Sequence, residues 1–214
     1  MVLIGSVVLW SVAAFAVDRF GLNVNGRLKL PTQQFLPSGG GRVLDMGAGT
    51  GRSTIMVLEE RPRTNVVALD LFSQSYRQHF GADINGQEKL LANLKAAGVD
   101  QRAAIQTGDM RSLPFEAASF DGIVSTYAID HLDRAGVDQA LAEAARVLKP
   151  GGDFLMMVLT KDGWLKFTFG PLLMHSGFRS QASWIELLEK AGFQIAGQGT
   201  VPGTLYFLSR KPSA

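Results

Sequence analysis

The chain has 214 residues, 46% hydrophobic and 19% charged, enough for one domain with a substantial core and too apolar for a disordered chain. Its net charge is +2 with acids and bases interspersed, which gives no footing for nucleic-acid binding by bulk charge. Cysteine is absent, which rules out disulfides, thiolate metal sites and a cysteine nucleophile, and fits a reducing compartment.

Val2 to Val17 carries no charge. As a helix it would span about 24 Å, a little short of the ~30 Å hydrocarbon layer. Three readings stand: a single membrane anchor, an apolar helix packed on the domain or in an oligomer interface, and a cleaved signal peptide ending at the small-x-small triplet Ala14-Phe15-Ala16. No basic residue precedes the run, which counts against the signal peptide. Arg19, Arg27 and Lys29 follow it, so an anchor would leave the rest of the chain in the cytoplasm. Residues 1–25 are therefore taken as one unit, with a membrane contact through 2–17, and 26–214 as the domain proper.

From residue 42 the pattern alternates. VVALD (66–70), AAIQTGD (103–109), FDGIVST (120–126) and DFLMMVL (153–159) predict buried strands. TGRSTIMVLEE, GQEKLLANLKAAG and AGVDQALAEAARVLKPGG predict helices, the second capped by Gly98 and the third stopped by Lys149-Pro150-Gly151. Strand and helix in alternation predict an α/β domain with a parallel sheet covered on both faces. SWIELLEKAGF predicts one more helix, and FQIAGQG and TLYFLSR an antiparallel edge pair joined across Val201-Pro202-Gly203.

RVLDMGAGTGRST (42–54) sets a glycine turn after the first strand, where open α/β sheets bind their ligands. A dinucleotide fingerprint needs G-x-G-x-x-G; Gly47 and Gly49 match it, but the third position is Arg52 and the glycine falls early, at Gly51. Asp45 ends the strand beside the turn. A carboxylate there disfavours a pyrophosphate and favours a ligand carrying a cation, which a sulfonium nucleoside is.

VLDMGAGTG resembles the first motif, D/E-x-G-x-G-x-G, of the class I S-adenosylmethionine-dependent methyltransferases. GDMRSLPFEAASFDGIVSTYAIDHL and ARVLKPGGDFLMM resemble the later motifs of the branch that includes quinone-biosynthesis and small-molecule enzymes. The resemblance runs from about residue 40 to about 160, and more loosely to the C-terminus. It implies a Rossmann-like, doubly wound, mostly parallel seven-stranded sheet with an antiparallel C-terminal edge hairpin, preceded here by the apolar N-terminal helix. It also implies S-adenosylmethionine as cofactor and a small-molecule or lipid-like methyl acceptor.

The glycines permit positive φ and close approach of a ligand to the backbone. By resemblance Asp45, Gly47, Ala48, Gly49 and Thr50 face the methionine part of the cofactor. Asp70, at the end of the second strand, can accept from both ribose hydroxyls, as acids do in dinucleotide folds; otherwise it is a helix N-cap. Leu71 would pack on the adenine. By resemblance Asp109 accepts from the adenine amine, unless it is an ordinary turn aspartate, while the Met110 backbone reads the ring edge and Thr126 lies near the methionyl group. Asp121 is typical of the family and points away from the ligand.

The implied chemistry is an SN2 displacement at an activated methyl, in which positioning and exclusion of water supply most of the acceleration. A general base is needed only for a protonated acceptor. His131 is the candidate; the alternative is a satisfied histidine at the start of the next helix. Where the family often has adjacent histidines, this chain has Asp130-His131. Tyr127 and His175 are weaker candidates, and the three histidines suggest no metal site. Residues 160–180 are aromatic and aperiodic, and Trp164, Phe167, Phe169, Leu172, Leu173 and Met174 would make an apolar substrate lid, or else a loop folded onto the core. A catalytically silent cofactor-binding partner subunit and an NAD-linked oxidoreductase are the competing functions.

Overall fold

The computed structural model describes residues 27–72, 86–159, 179–201 and 204–213. The apolar N-terminal segment, most of the proposed lid with His175, and Pro202-Gly203 lie outside them. In chain order the elements are β1 (Gly40–Met46), α1 (Arg52–Glu60), β2 (Arg63–Asp70), α2 (Gly86–Ala96) and β3 (Ala103–Thr107). β4 (Phe120–Thr126), α3 (Arg134–Val147), β5 (Leu148–Val158), α4 (Gln181–Lys190), β6 (Gln194–Val201) and β7 (Thr204–Arg210) follow.

The strands form one sheet in the order β3-β2-β1-β4-β5-β7-β6. β1 to β5 run parallel, and β7 pairs antiparallel with both β5 and β6. Chain order runs outward from β1 on one side and from β4 on the other, so the switch point lies between them. The crevice beyond their carboxyl ends is where such sheets hold ligands.

Two apolar clusters explain why the sheet is covered twice. Alternate residues of β5 separate them: Phe154 and Met156 pack on one face with Val137, Leu141, Trp184 and Leu188, while Leu155 and Met157 pack on the other with Val57, Leu58, Leu90 and Leu94. α3 shows the pattern that makes this work. Val137, Ala140, Leu141, Ala144 and Val147 form one buried stripe at helical spacing, and Asp133 caps the helix by accepting from the Gly136 N–H at 2.7 Å.

Most elements match the sequence reading, β4 residue for residue. The largest difference is at Lys149-Pro150-Gly151. The helix does stop there, at Val147, but no loop follows. Leu148 pairs at once with Phe120, and the ladder resumes at Gly122 and Asp153. The intervening residues bulge out, as a proline without an N–H and a glycine at φ +74° allow. Asp121 lies at the opposite end of β4 from the crevice, accepting from the Arg42 N–H at 2.8 Å and pairing with Lys149 at 2.6 Å.

Candidate cofactor site

The glycine turn is strapped to its neighbours by backbone bonds. Gly47 and Ala48 N–H both donate to the Leu69 carbonyl, at 2.8 and 3.0 Å, and Gly49 N–H donates to Asp70 Oδ2 at 2.9 Å. From α2, the Asn93 amide donates to the Thr50 carbonyl at 2.8 Å. Gly47, Gly49 and Gly51 all have positive φ, at 85°, 54° and 91°, but they are needed for different reasons. A Cβ on Gly47 would stand 2.3 Å from the Ala128 Cβ, and one on Gly51 would stand 2.4 Å from the Leu90 Cδ1. Those two glycines let protein pack on protein. A Cβ on Gly49 would meet nothing within 4 Å, so only at Gly49 does the turn open onto free space.

Asp45 is fully buried and turned toward the first turn of α1. Its Oδ2 accepts from the Ser53 and Thr54 hydroxyls at 2.7 and 2.5 Å, while its Oδ1 is buried with no partner. Burial pushes its pKa up from 3.8 to about 6, opposed by the two hydroxyls and helped by the nearby Asp70. The sequence marked Asp45 but not its Ser53 and Thr54 partners, nor Asn93. Their only signal was polar side chains on otherwise buried faces.

Asp70 ends β2. Oδ2 takes the Gly49 N–H and Oδ1 takes the Phe72 N–H at 2.9 Å. Each oxygen keeps a second lone pair for another donor. Leu71 beside it is 48% exposed, one of two large apolar side chains so exposed among the described residues. Asp109 lies beyond the end of β3. Both its oxygens hold the Arg111 guanidinium, at 2.6 Å for the closest pair, and this partner draws its pKa down. Met110 packs under the turn, with its Cε 3.0 Å from where a Gly47 Cβ would be.

Thr126 ends β4, 8% exposed, and its Oγ1 is buried without a partner. Tyr127 follows at φ +52°, its phenol bonded to Thr204 Oγ1 at 2.6 Å. A non-glycine residue in this region stores strain; Phe72, two residues past the end of β2, does the same at +45°. Beyond Tyr127 a short 3₁₀ turn, Ile129–His131, carries an exposed His131 and an Asp130 whose Oδ1 is buried and unpartnered. The structure thus gathers Asp45, the turn, Asp70, Leu71 and Thr126 around the carboxyl ends of β1, β2 and β4, with Asp109 beyond β3. Among the described residues no group of acids and histidines could hold a metal ion. A depression of about 300 Å³ on the α1–α2 side is lined by residues that include Arg27, Arg52, Ile55 and Asn93.

A sheet of this order, with a glycine turn after β1 and an acid closing β2, defines a nucleoside-binding Rossmann-like domain. The chain belongs to the methyltransferase domain family, whose model matches residues 43–152, and within it to the class I S-adenosylmethionine-dependent methyltransferases. A ubiquinone/menaquinone biosynthesis C-methyltransferase of Dinoroseobacter shibae is 32% identical over 121 residues, 56% of this chain and 43% of its own. A chloroplastic 2-methyl-6-phytyl-1,4-hydroquinone methyltransferase of Oryza sativa is 32% identical over 154 residues, 72% of this chain and 41% of its own. The chain thus spans less than half the length of these curated relatives. A crystal structure of a S-adenosylmethionine-dependent methyltransferase from Methanosarcina mazei superposes with a TM-score of 0.70 at 18% identity, over 87% of this chain and 100% of that one. At that identity the likeness establishes the fold.

S-adenosylmethionine is accordingly the cofactor, and the residues present fit it. The buried Asp45 Oδ1 lacks a donor, which an ammonium group provides. Gly49 opens onto free space, Asp70 has lone pairs to spare, and Leu71 offers an exposed apolar surface beside it.

Proposed function

We propose that the chain transfers a methyl group to a small-molecule or lipid-like acceptor of the quinone type. The observation that carries this is the opening at Gly49, set between a buried carboxylate with an unpaired oxygen and the carboxylate that closes β2. In this reading Asp45 with Gly47, Ala48, Gly49 and Thr50 receives the methionine part of the cofactor. Asp70 takes the ribose hydroxyls and Leu71 covers the adenine. Asp109 and the Met110 backbone read the adenine edge, and Thr126 lies near the methionyl group.

Bound S-adenosylmethionine supplies a methyl already activated by positive sulfur. The protein's work is therefore positioning. The turn is fixed by β2 and α2 before any ligand arrives, so little ordering cost falls on binding, and a rigid cradle keeps donor and acceptor in line. The relatives named for quinone and hydroquinone substrates support the acceptor class.

Residues 1–25 form, in this reading, a separate apolar unit and 26–214 the methyltransferase domain, with 160–180 as the lid over the acceptor. Among the described residues no helix is long and apolar enough to cross a membrane; the anchor proposed for residues 2–17 rests on their charge-free run and the bases that follow. It puts the domain on the cytoplasmic side, where its cofactor is made. Protease protection in vesicles tests this, and a domain found outside would remove it.

Calorimetry with S-adenosylmethionine and with NAD, followed by transfer of labelled methyl to a metabolite and membrane-lipid extract, tests the function. Sulfonium binding with labelled product supports it. Sulfonium binding with no product on any extract favours the silent partner subunit, and NAD binding alone favours the oxidoreductase.

A further inference from the structure

Asp130 is a half-buried acid that takes no part in holding the cofactor. Asp130 sits beyond the carboxyl end of β4, and its Oδ2 takes the Leu159 N–H, just past the end of β5, at 3.4 Å. That is a long contact, near the limit for a hydrogen bond. Its Oδ1 takes nothing, although it is sealed from solvent. A buried carboxylate oxygen without a donor is costly, and one that persists calls for an explanation, a catalytic or binding role among them. The second unpaired oxygen on this side of the crevice is Thr126 Oγ1, on the last residue of β4. The strained Tyr127 lies between the two in sequence, its ring fixed by Thr204. Strain of this kind collects at ligand clamps.

The position is as informative as the missing partner. The glycine turn, Asp70 and Asp109 occupy the ends of β1, β2 and β3. Asp130 and Thr126 occupy the ends of β4 and β5, across the switch point from the nucleoside half. We propose that Asp130, rather than His131, is the residue that receives the methyl acceptor, its Oδ1 taking the hydrogen of a hydroxyl on an aromatic ring such as a hydroquinone carries. This rests on the methyltransferase reading of the site.

The charged and titratable groups around Asp130 support a hydrogen-bond acceptor here. His131 on its own turn and Arg179 ahead of α4 both favour its ionised form, and the Leu159 N–H does the same. Burial works against them more strongly and holds its pKa above the usual carboxylate range, while Tyr127 is a neutral neighbour whose own pKa burial raises. A carboxylate kept poorly solvated bonds a phenolic hydroxyl more strongly than a solvated one does. It also accepts the hydroxyl proton more readily as negative charge builds on the ring oxygen. His131 is exposed.

The test uses the full-length protein loaded with S-adenosylhomocysteine and measures binding of methylhydroquinone, its dimethyl ether and benzylamine. Calorimetric loading comes first; failure to load counts against the methyltransferase reading and not against Asp130. Methylhydroquinone should bind wild-type protein at least about tenfold more tightly than the dimethyl ether, and its affinity should fall as pH drops through a midpoint above the ordinary carboxylate range. D130N should remove most of the preference while leaving loading intact, and H131Q should keep it within about twofold. Equal binding of the two ring compounds to wild type overturns the proposal without need of any variant. So does a loss in H131Q that D130N does not show. Tightest binding of benzylamine overturns the hydroxyl class.

Discussion

The Gly49 N–H donates to Asp70 Oδ2 across 2.9 Å, so the residue proposed to hold the ribose also holds the turn proposed to cradle the methionine. The other oxygen binds the Phe72 N–H, which fixes the chain as it leaves β2. Asp70 therefore couples the two halves of the nucleoside site. D70A should lower stability by about 1–3 kcal/mol and weaken S-adenosylmethionine binding by at least about tenfold. Chemical denaturation and calorimetry report these separately. A variant that loses stability but binds the cofactor normally would confine Asp70 to the structural part of its role.

The three glycines of the turn separate in the same way. G47A forces a positive φ on alanine, at about 1–2 kcal/mol, and drives its methyl into Ala128, for about 1–3 kcal/mol more. G51A meets only the flexible end of Leu90 and should cost less. G49A pays the backbone strain alone, yet its methyl projects where the ligand is expected. The ranking in stability is G47A lowest, then G51A, then G49A; in cofactor affinity relative to stability, G49A is hit hardest. Melting curves set beside binding constants for the three variants check both orders.

Element order and type were legible because parallel strands are continuous apolar runs and the helices keep their stripe: FDGIVST could be only a buried strand, and Val137 to Val147 only a helix face. The glycine turn was legible too, since its third glycine falls one position early for the dinucleotide fingerprint. What escaped was direction. Asp45 reads in sequence as the carboxylate beside a ligand, and the fold turns its Oδ2 into α1, where Ser53 and Thr54 wait. Strand periodicity says which face a side chain takes, but not which oxygen finds a partner. Gly47, Gly49 and Gly51 look equivalent for the same reason; what each would strike depends on Ala128 and Leu90, distant in sequence. The unpaired oxygen of Asp130 depends on how the ends of β4 and β5 meet, which no local pattern encodes.

Asp109 and Arg111 make a test of the adenine reading. Arg111 covers both carboxylate oxygens, so an adenine amine must share them or displace it. The ion pair lies at the surface, and its loss should cost folding stability no more than about 1 kcal/mol. R111A should then keep or tighten cofactor binding, because it uncovers Asp109, whereas D109A should weaken it. Adenosine affinity measured for both variants decides. Weakening in R111A with none in D109A would move the adenine contact from the acid to the guanidinium.

Asp45 predicts a pH dependence with an unusual sign. Most acids that gain partners on folding have depressed pKa values, and their stabilisation is lost as pH falls. Asp45 is raised from 3.8 to about 6, because burial outweighs its two hydroxyl bonds. The native state therefore holds this proton more tightly than the unfolded chain does. Its contribution is most favourable below about pH 4, where both states are protonated, and is lost as pH rises through about 6. The change amounts to roughly 3 kcal/mol. The stability difference between wild type and D45N should shift by about that much between pH 4 and 7, against the wild type at the higher pH; a difference flat across that range would sink the prediction. Binding of S-adenosylhomocysteine, whose ammonium is expected on the unpaired Oδ1, should flatten the shift in the wild type, since a cation there favours the ionised form. The same pair of titrations, with and without ligand, thus reads the burial of Asp45 and its proposed contact at once.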